Sequence, residues 1–129
     1  MLPLLLIAFS LNCPDSNQHP IDMRLQNCLK EAHATMPRAE CYNIAYHHWE
    51  LDIKNIEKKL LAKATTQQKE QLRTDELNWE KERDLAFDTI AIKYNKMRGT
   101  GYIPVRIQLR MDVLRKHALE LEAELTKFK

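Results

Sequence analysis

Apolar residues recur along most of this chain at spacings of three and four, the period of a helix with one side turned inward. Cys41, Ala45, Trp49, Ile53, Ile56 and Leu60 form one such stripe and predict a helix over residues 37–63. Leu72, Glu76, Trp79, Arg83, Ala86, Phe87 and Ile90 form a second, on a helix predicted over 66–97. That stripe is an odd one for a core, because an arginine follows an aromatic one turn later on the same face. From Pro104 onward, Ile107, Met111, Leu114, Ala118, Leu121 and Leu125 keep a 4-3-4-3-4 spacing, a heptad seam.

The punctuation between these stripes sets the architecture. Residues 63–71, KATTQQKEQ, hold no large apolar side chain and predict a turn, with Thr65 or Thr66 capping the next helix. The competing reading is one helix over 37–97, roughly 90 Å long at 1.5 Å per residue, which would need a partner chain to cover it. Arg98-Gly99-Thr100-Gly101 carries the basic-then-glycine signature of a helix end. Near the N-terminus a short helix is predicted over 22–34, with a weak apolar face of Met23, Gln26 and Leu29 and with Leu25 less well placed. Thr35 is the candidate N-cap of the helix that follows, with Pro37 tolerated in its first turn. The expected fold is all-α, an antiparallel bundle of three longer helices plus the short N-terminal one.

Composition agrees. The chain has 129 residues, room for one domain, and only two glycines interrupt it. Net charge is +2 with acids and bases interleaved, the mark of a solvated helical surface rather than a nucleic-acid-binding stripe.

Export is suggested by the first residues. Residues 1–12, MLPLLLIAFSLN, are apolar and uncharged, but shorter than the about 20 residues that a membrane-spanning helix needs. With Ala8-Phe9-Ser10 as a small-x-small step they fit a secretory signal peptide; the alternative is a buried N-terminal segment. Residues 13–21 are polar and proline-bearing and read as a leader, leaving 22–129 as the helical domain. Of the three cysteines, two should pair in an oxidising compartment and one is left over. Cys28 and Cys41 enclose 12 residues that include Pro37, a small loop suited to a staple. Cys13 sits just past the apolar run, where a lipoprotein is acylated, although Asn12 is not the small residue that usually precedes such a cysteine. The expected location is periplasmic or secreted, with a membrane anchor if Cys13 is acylated.

A search for chemistry yields little. His47 and His48 are adjacent and point about 100° apart on a helix, so they do not face one ion; His47 is expected in solvent and His48 at the core edge. No HxxxH, HExxH or CxxC spacing occurs, so no metal site is predicted. Acid pairs such as Glu80 and Asp84 read as solvated charges. No nucleophile elbow, phosphate loop or cofactor fingerprint is present, and the expectation is a non-enzymatic protein without a cofactor. Trp49 and Trp79 read first as core residues and second as binding anchors. Arg83 is expected to stack on Trp79 or to pair with Glu50 or Asp52 of the preceding helix.

Taken in order, these residues resemble the LprI-type lysozyme-inhibitor family of small exported bacterial proteins. Cys28 and Cys41, with Ala32 and Thr35 between them, match the first block. Trp49, Glu50, Asp52, Ile53 and Leu60 fit the second, and Leu72, Trp79, Arg83 and Asp84 the third. The resemblance covers about residues 25–95. Lys54 stands where the family has Asn, Glu57 where it has Tyr, and Glu76 where it has Gln. Phe87 replaces a third cysteine, which leaves Cys28–Cys41 as the natural disulfide.

The resemblance implies an exported helical protein that binds and blocks a lysozyme. Trp79 and Arg83, paired with Trp49, Glu50 and Asp52, are then the joint between two antiparallel helices, and any binding role falls to the outward acids Asp75, Glu76, Glu80, Glu82 and Asp84. The alternative is a structural or assembly protein that dimerises, or docks on a partner helix, through the heptad seam.

Overall fold

The structure, a computed structural model, describes residues 19–128. The expected signal peptide, Cys13 and most of the leader lie outside the described residues. Four helices follow one another: α1 (Pro20–Glu31), α2 (Thr35–Lys63), α3 (Thr66–Asn95) and α4 (Tyr102–Lys127). The fold is the expected all-α bundle. No described helix is long and apolar enough to cross a membrane.

Local chemistry explains the boundaries. α1 starts two residues before its predicted position because His19 caps it, its Nδ1 accepting the Ile21 N–H at 3.2 Å, and Pro20 occupies the first position, where its missing N–H costs nothing. α2 starts at Thr35, which is a helical residue and not the expected cap; Ala34 holds that place without a side-chain hydrogen bond. The turn between α2 and α3 is at Ala64 and Thr65. Thr65 Oγ1 accepts the Gln68 N–H at 3.2 Å while Gln68 Oε1 accepts the Thr65 N–H at 2.9 Å, a reciprocal capping box. The continuous helix over 37–97 is thereby excluded. Gly99 carries φ 102° after α3, a conformation open to glycine at no steric cost. α4 begins at Tyr102, so Pro104 falls within its first turn.

The core is built on α2. Cys41, Ala45, Trp49, Ile53, Ile56 and Leu60 are all buried, as their spacing predicts. They pack chiefly against α4, where Met111, Leu114 and Ala118 of the heptad seam are buried. That seam is therefore occupied within the chain, and the dimer reading loses the apolar face on which it rested. α2 and α4 run in the same direction. Thr35, Arg38 and Tyr42 share one cleft with Pro104, Val105 and Gln108, and Leu60 shares another with Leu121 at the far end. α3 returns along the flank of this pair, packing on α4 and meeting α2 where Phe87 approaches Tyr46. Its predicted inward residues do face the bundle, yet each is only part-covered and no residue of α3 is buried.

α1 is fastened to α2 by the Cys28–Cys41 disulfide, Cα–Cα 5.7 Å. Its buried residues are Ile21, Asp22 and Leu25, which corrects the predicted face. Met23 is 52% exposed, and Leu25, thought less well placed, is in the core. The physical reason is Asp22. It turns inward to receive Arg115 of α4 through a two-pronged pair, Nε to Oδ1 at 3.0 Å and Nη2 to Oδ2 at 2.8 Å. A buried carboxylate is tolerable only when paired in this way. The Arg115 guanidinium also lies 5.8 Å from the Trp49 ring centre.

Candidate functional site

Two clusters of titratable groups stand out, one on each side of the α2–α4 pair. The first lies in a groove where the C-terminal half of α2, the start of α3 and the end of α4 meet. It encloses about 220 Å³ over Leu60, Leu61, Leu72 and Leu121, and its other walls carry Glu57, Asp75, Glu76, Glu120 and Glu124 against Arg73 and His117. The groove is apolar in its floor and acidic around its rim.

Glu57 of α2 and Glu76 of α3 face each other across this groove. Burial pushes the Glu57 carboxyl up from 4.5 to about 7; the charge of Glu76 and a shared hydrogen bond with it add to this, as does Glu80, with Lys54 opposing. Glu57 is therefore about half protonated near pH 7, chiefly because burial disfavours its charged form and secondarily because a second carboxylate lies beside it. His117 goes the other way: burial lowers it from 6.5 to about 4, so it is neutral at pH 7. Its ring lies flat on Trp79, centroids 3.8 Å apart and planes 7° from parallel, and its Nε2 is shut from solvent with no hydrogen-bond partner among the described residues.

A pH dependence follows. A carboxyl whose folded pKa is raised penalises folding once the unfolded chain has ionised. The Glu57 penalty is absent below about pH 4.5, grows as the pH rises, and is complete above about pH 7. Glu57→Gln, which keeps the shape and removes the charge, should raise stability at pH 8 by about 1 kcal/mol, the modest value reflecting solvent access to the groove. It should change nothing at pH 4. Urea unfolding of both proteins at the two pH values is the measurement, and an equal effect at both would rule out the raised Glu57 pKa.

The second cluster joins three helices. His19 Nε2 meets Glu122 Oε1 of α4 at 2.9 Å, and Asp52 of α2 lies against them, with one donor atom from each residue falling within 4.8 Å of the others. Burial raises Asp52 from 3.8 to about 6, and a hydrogen bond and the charge of Glu122 add to it against His19 and Lys59. Asp52 Oδ2 is closed to solvent and has no hydrogen-bond partner among the described residues. The His19 ring packs on Trp49 at 4.4 Å.

Several expected neighbours are rearranged. Trp49 is fully buried, 0% exposed, and belongs to the core. Arg83 lies 5.3 Å from the Trp79 ring centre, as the stacking option required, but its hydrogen bonds go to Asp84 at 3.0 and 3.1 Å and not to Glu50 or Asp52. Glu50 instead lies 3.7 Å from His47, which is exposed as expected; His48 is half-buried. Trp79 thus stacks on α4 through His117 while sharing a cleft with Glu50 and Ile53 of α2 and with Arg83. Leu72, Asp75 and Glu76 line the groove, Glu80 is half-buried beside it, and Glu82 and Asp84 are exposed. Sequence reading missed His19, Asp22, Arg115, His117 and Glu122. His19-Pro20 carried a readable signal, a cap residue followed by proline at the first helical position.

No curated protein and no solved structure matches the chain. A family model does match, described as Lysozyme inhibitor LprI, over residues 26–121. That span takes in all the blocks noted in the sequence and most of α4. The chain belongs to the LprI lysozyme inhibitor family.

Proposed function

We propose that this is an exported, non-enzymatic binding protein that blocks a lysozyme, using the acidic groove between α2, α3 and α4 as its contact surface. The observation that carries the reading is the family match over residues 26–121. The Cys28–Cys41 disulfide supports an oxidising, extracytoplasmic location. The groove supports the surface: a net charge of +2 gives the whole molecule no pull on a basic lysozyme, but five carboxyl groups around one apolar floor do so locally.

The test is cell-wall lysis by several lysozymes with and without the purified mature chain. Loss of activity at near-equimolar inhibitor is expected for basic lysozymes, weakening as salt screens the groove. Glu76→Lys with Glu120→Lys should weaken it further while leaving the helical circular-dichroism spectrum intact. Full lysis at a large molar excess, across all lysozyme types, would sink the reading. Retained inhibition by the double variant would move the contact surface elsewhere.

A further inference from the structure

We propose that His19, Asp52 and Glu122 bind one divalent transition-metal ion of the zinc class at the junction of α1, α2 and α4. The argument rests on convergence, charge and an unpartnered atom. One donor atom from each residue falls within 4.8 Å of the other two, although His19 and Glu122 are 103 residues apart in sequence. Tetrahedral ligands at about 2.0 Å from a zinc ion stand roughly 3.3 Å from one another, so small side-chain movements close the set. A neutral imidazole with two carboxylates sums to a charge of −2, which one divalent cation cancels. Asp52 Oδ2 is closed to solvent with no hydrogen-bond partner among the described residues, a position that a cation satisfies. One nitrogen and two carboxylate oxygens, with a water completing the shell, suit zinc; calcium asks for six to eight oxygens and magnesium for near-octahedral oxygen donors.

Two features oppose the ion and define what must change. Lys59 places a positive charge near Asp52. The His19 tautomer must also switch. Its Nδ1 now accepts the Ile21 N–H at 3.2 Å, so the ring proton sits on Nε2 and is donated to Glu122 at 2.9 Å. Metal ligation by Nε2 moves that proton to Nδ1 and releases the Ile21 cap. The site therefore exchanges one N-cap hydrogen bond, the His19–Glu122 hydrogen bond and the Asp52–Glu122 hydrogen bond for three metal bonds.

The experiment is isothermal titration of the disulfide-intact chain with zinc chloride at pH 7.5, with cobalt(II) absorption as a second probe on the unaltered protein. One ion per chain is expected, with cobalt showing tetrahedral ligand-field bands. His19→Gln, Asp52→Asn and Glu122→Gln should each weaken binding about 100-fold or more, while the paired change of His47 and His48 to alanine leaves it intact. Circular dichroism establishes that each variant folds. No uptake at millimolar zinc, octahedral cobalt bands, equal affinity for calcium, or binding that survives the carboxamide variants would each overturn the site. So would binding that depends on Cys13 instead.

Discussion

Replacing Trp49 with alanine should remove about 3–5 kcal/mol of stability, the range for emptying a large aromatic from a core. Trp49 is fully buried in the middle of α2, under the His19 ring at 4.4 Å and beside the Arg115 guanidinium at 5.8 Å. It joins the spine of α2 to the start of α1 and to the inner side of α4. Domains of this kind have only about 5–15 kcal/mol of total stability, so the variant should be partly unfolded at 37 °C. The indole Nε1 has no hydrogen-bond partner among the described residues. Trp49→Phe therefore loses volume but no hydrogen bond, and should cost only about 1–2 kcal/mol. Urea unfolding followed by circular dichroism measures both. A cost below about 1 kcal/mol for the alanine variant is incompatible with a core position. The phenylalanine variant should still inhibit lysozyme, because the ring takes no part in the groove.

The second large effect is expected at the disulfide. Cys28 and Cys41 are 13 residues apart, and closing a loop of that length stabilises the folded chain by about 3 kcal/mol on the chain-entropy model. The loss should be concentrated in α1. That helix buries Ile21, Asp22 and Leu25 and is held at its first turn by His19–Glu122 and Asp22–Arg115, and at its other end, besides the disulfide, by Leu29 and Ala32 against the core and one hydrogen bond from Arg38 to Ala32 O. Reduction removes the one covalent tie at that end. Hydrogen exchange of the α1 amides should accelerate more than that of α2 in the Cys28→Ser, Cys41→Ser protein, with the urea midpoint falling as well. Uniform acceleration along the whole chain would mean that α1 is not a separable unit.

What could be read from the chain follows a physical divide. The α2 stripe and the α4 seam were legible because burial on one side imposes the helical period on the sequence. The break near Thr65 was legible because residues 63–71 hold no large apolar side chain; the Gln68 half of the cap came only with the structure. α1 was misread at its face, since a buried aspartate disguises an inward position as an outward one, and only Arg115, 93 residues away, explains it. Trp79 and Arg83 were placed on the inward side of α3, but periodicity names a face and not every neighbour that covers it; the His117 ring of α4 stacked on Trp79 left no mark in the α3 pattern. The meeting of Glu57 with Glu76, and of His19 with Asp52 and Glu122, is a product of the tertiary fold and leaves no local mark. Glu57 and Glu76 were visible singly, as two departures from the family pattern, without any sign that the two departures face each other.

α3 contributes a wall of the acidic groove and yet buries no residue of its own. On the reading proposed above, α3 adds contact surface while carrying little of the packing, and α2 and α4 supply both the core and the groove's other walls. Substitutions along α3 meet few packing constraints, so a lineage can redraw its charge and shape in small steps while α2 and α4 keep the bundle intact. A surface of that kind is free to vary its charge without loosening the core beneath it.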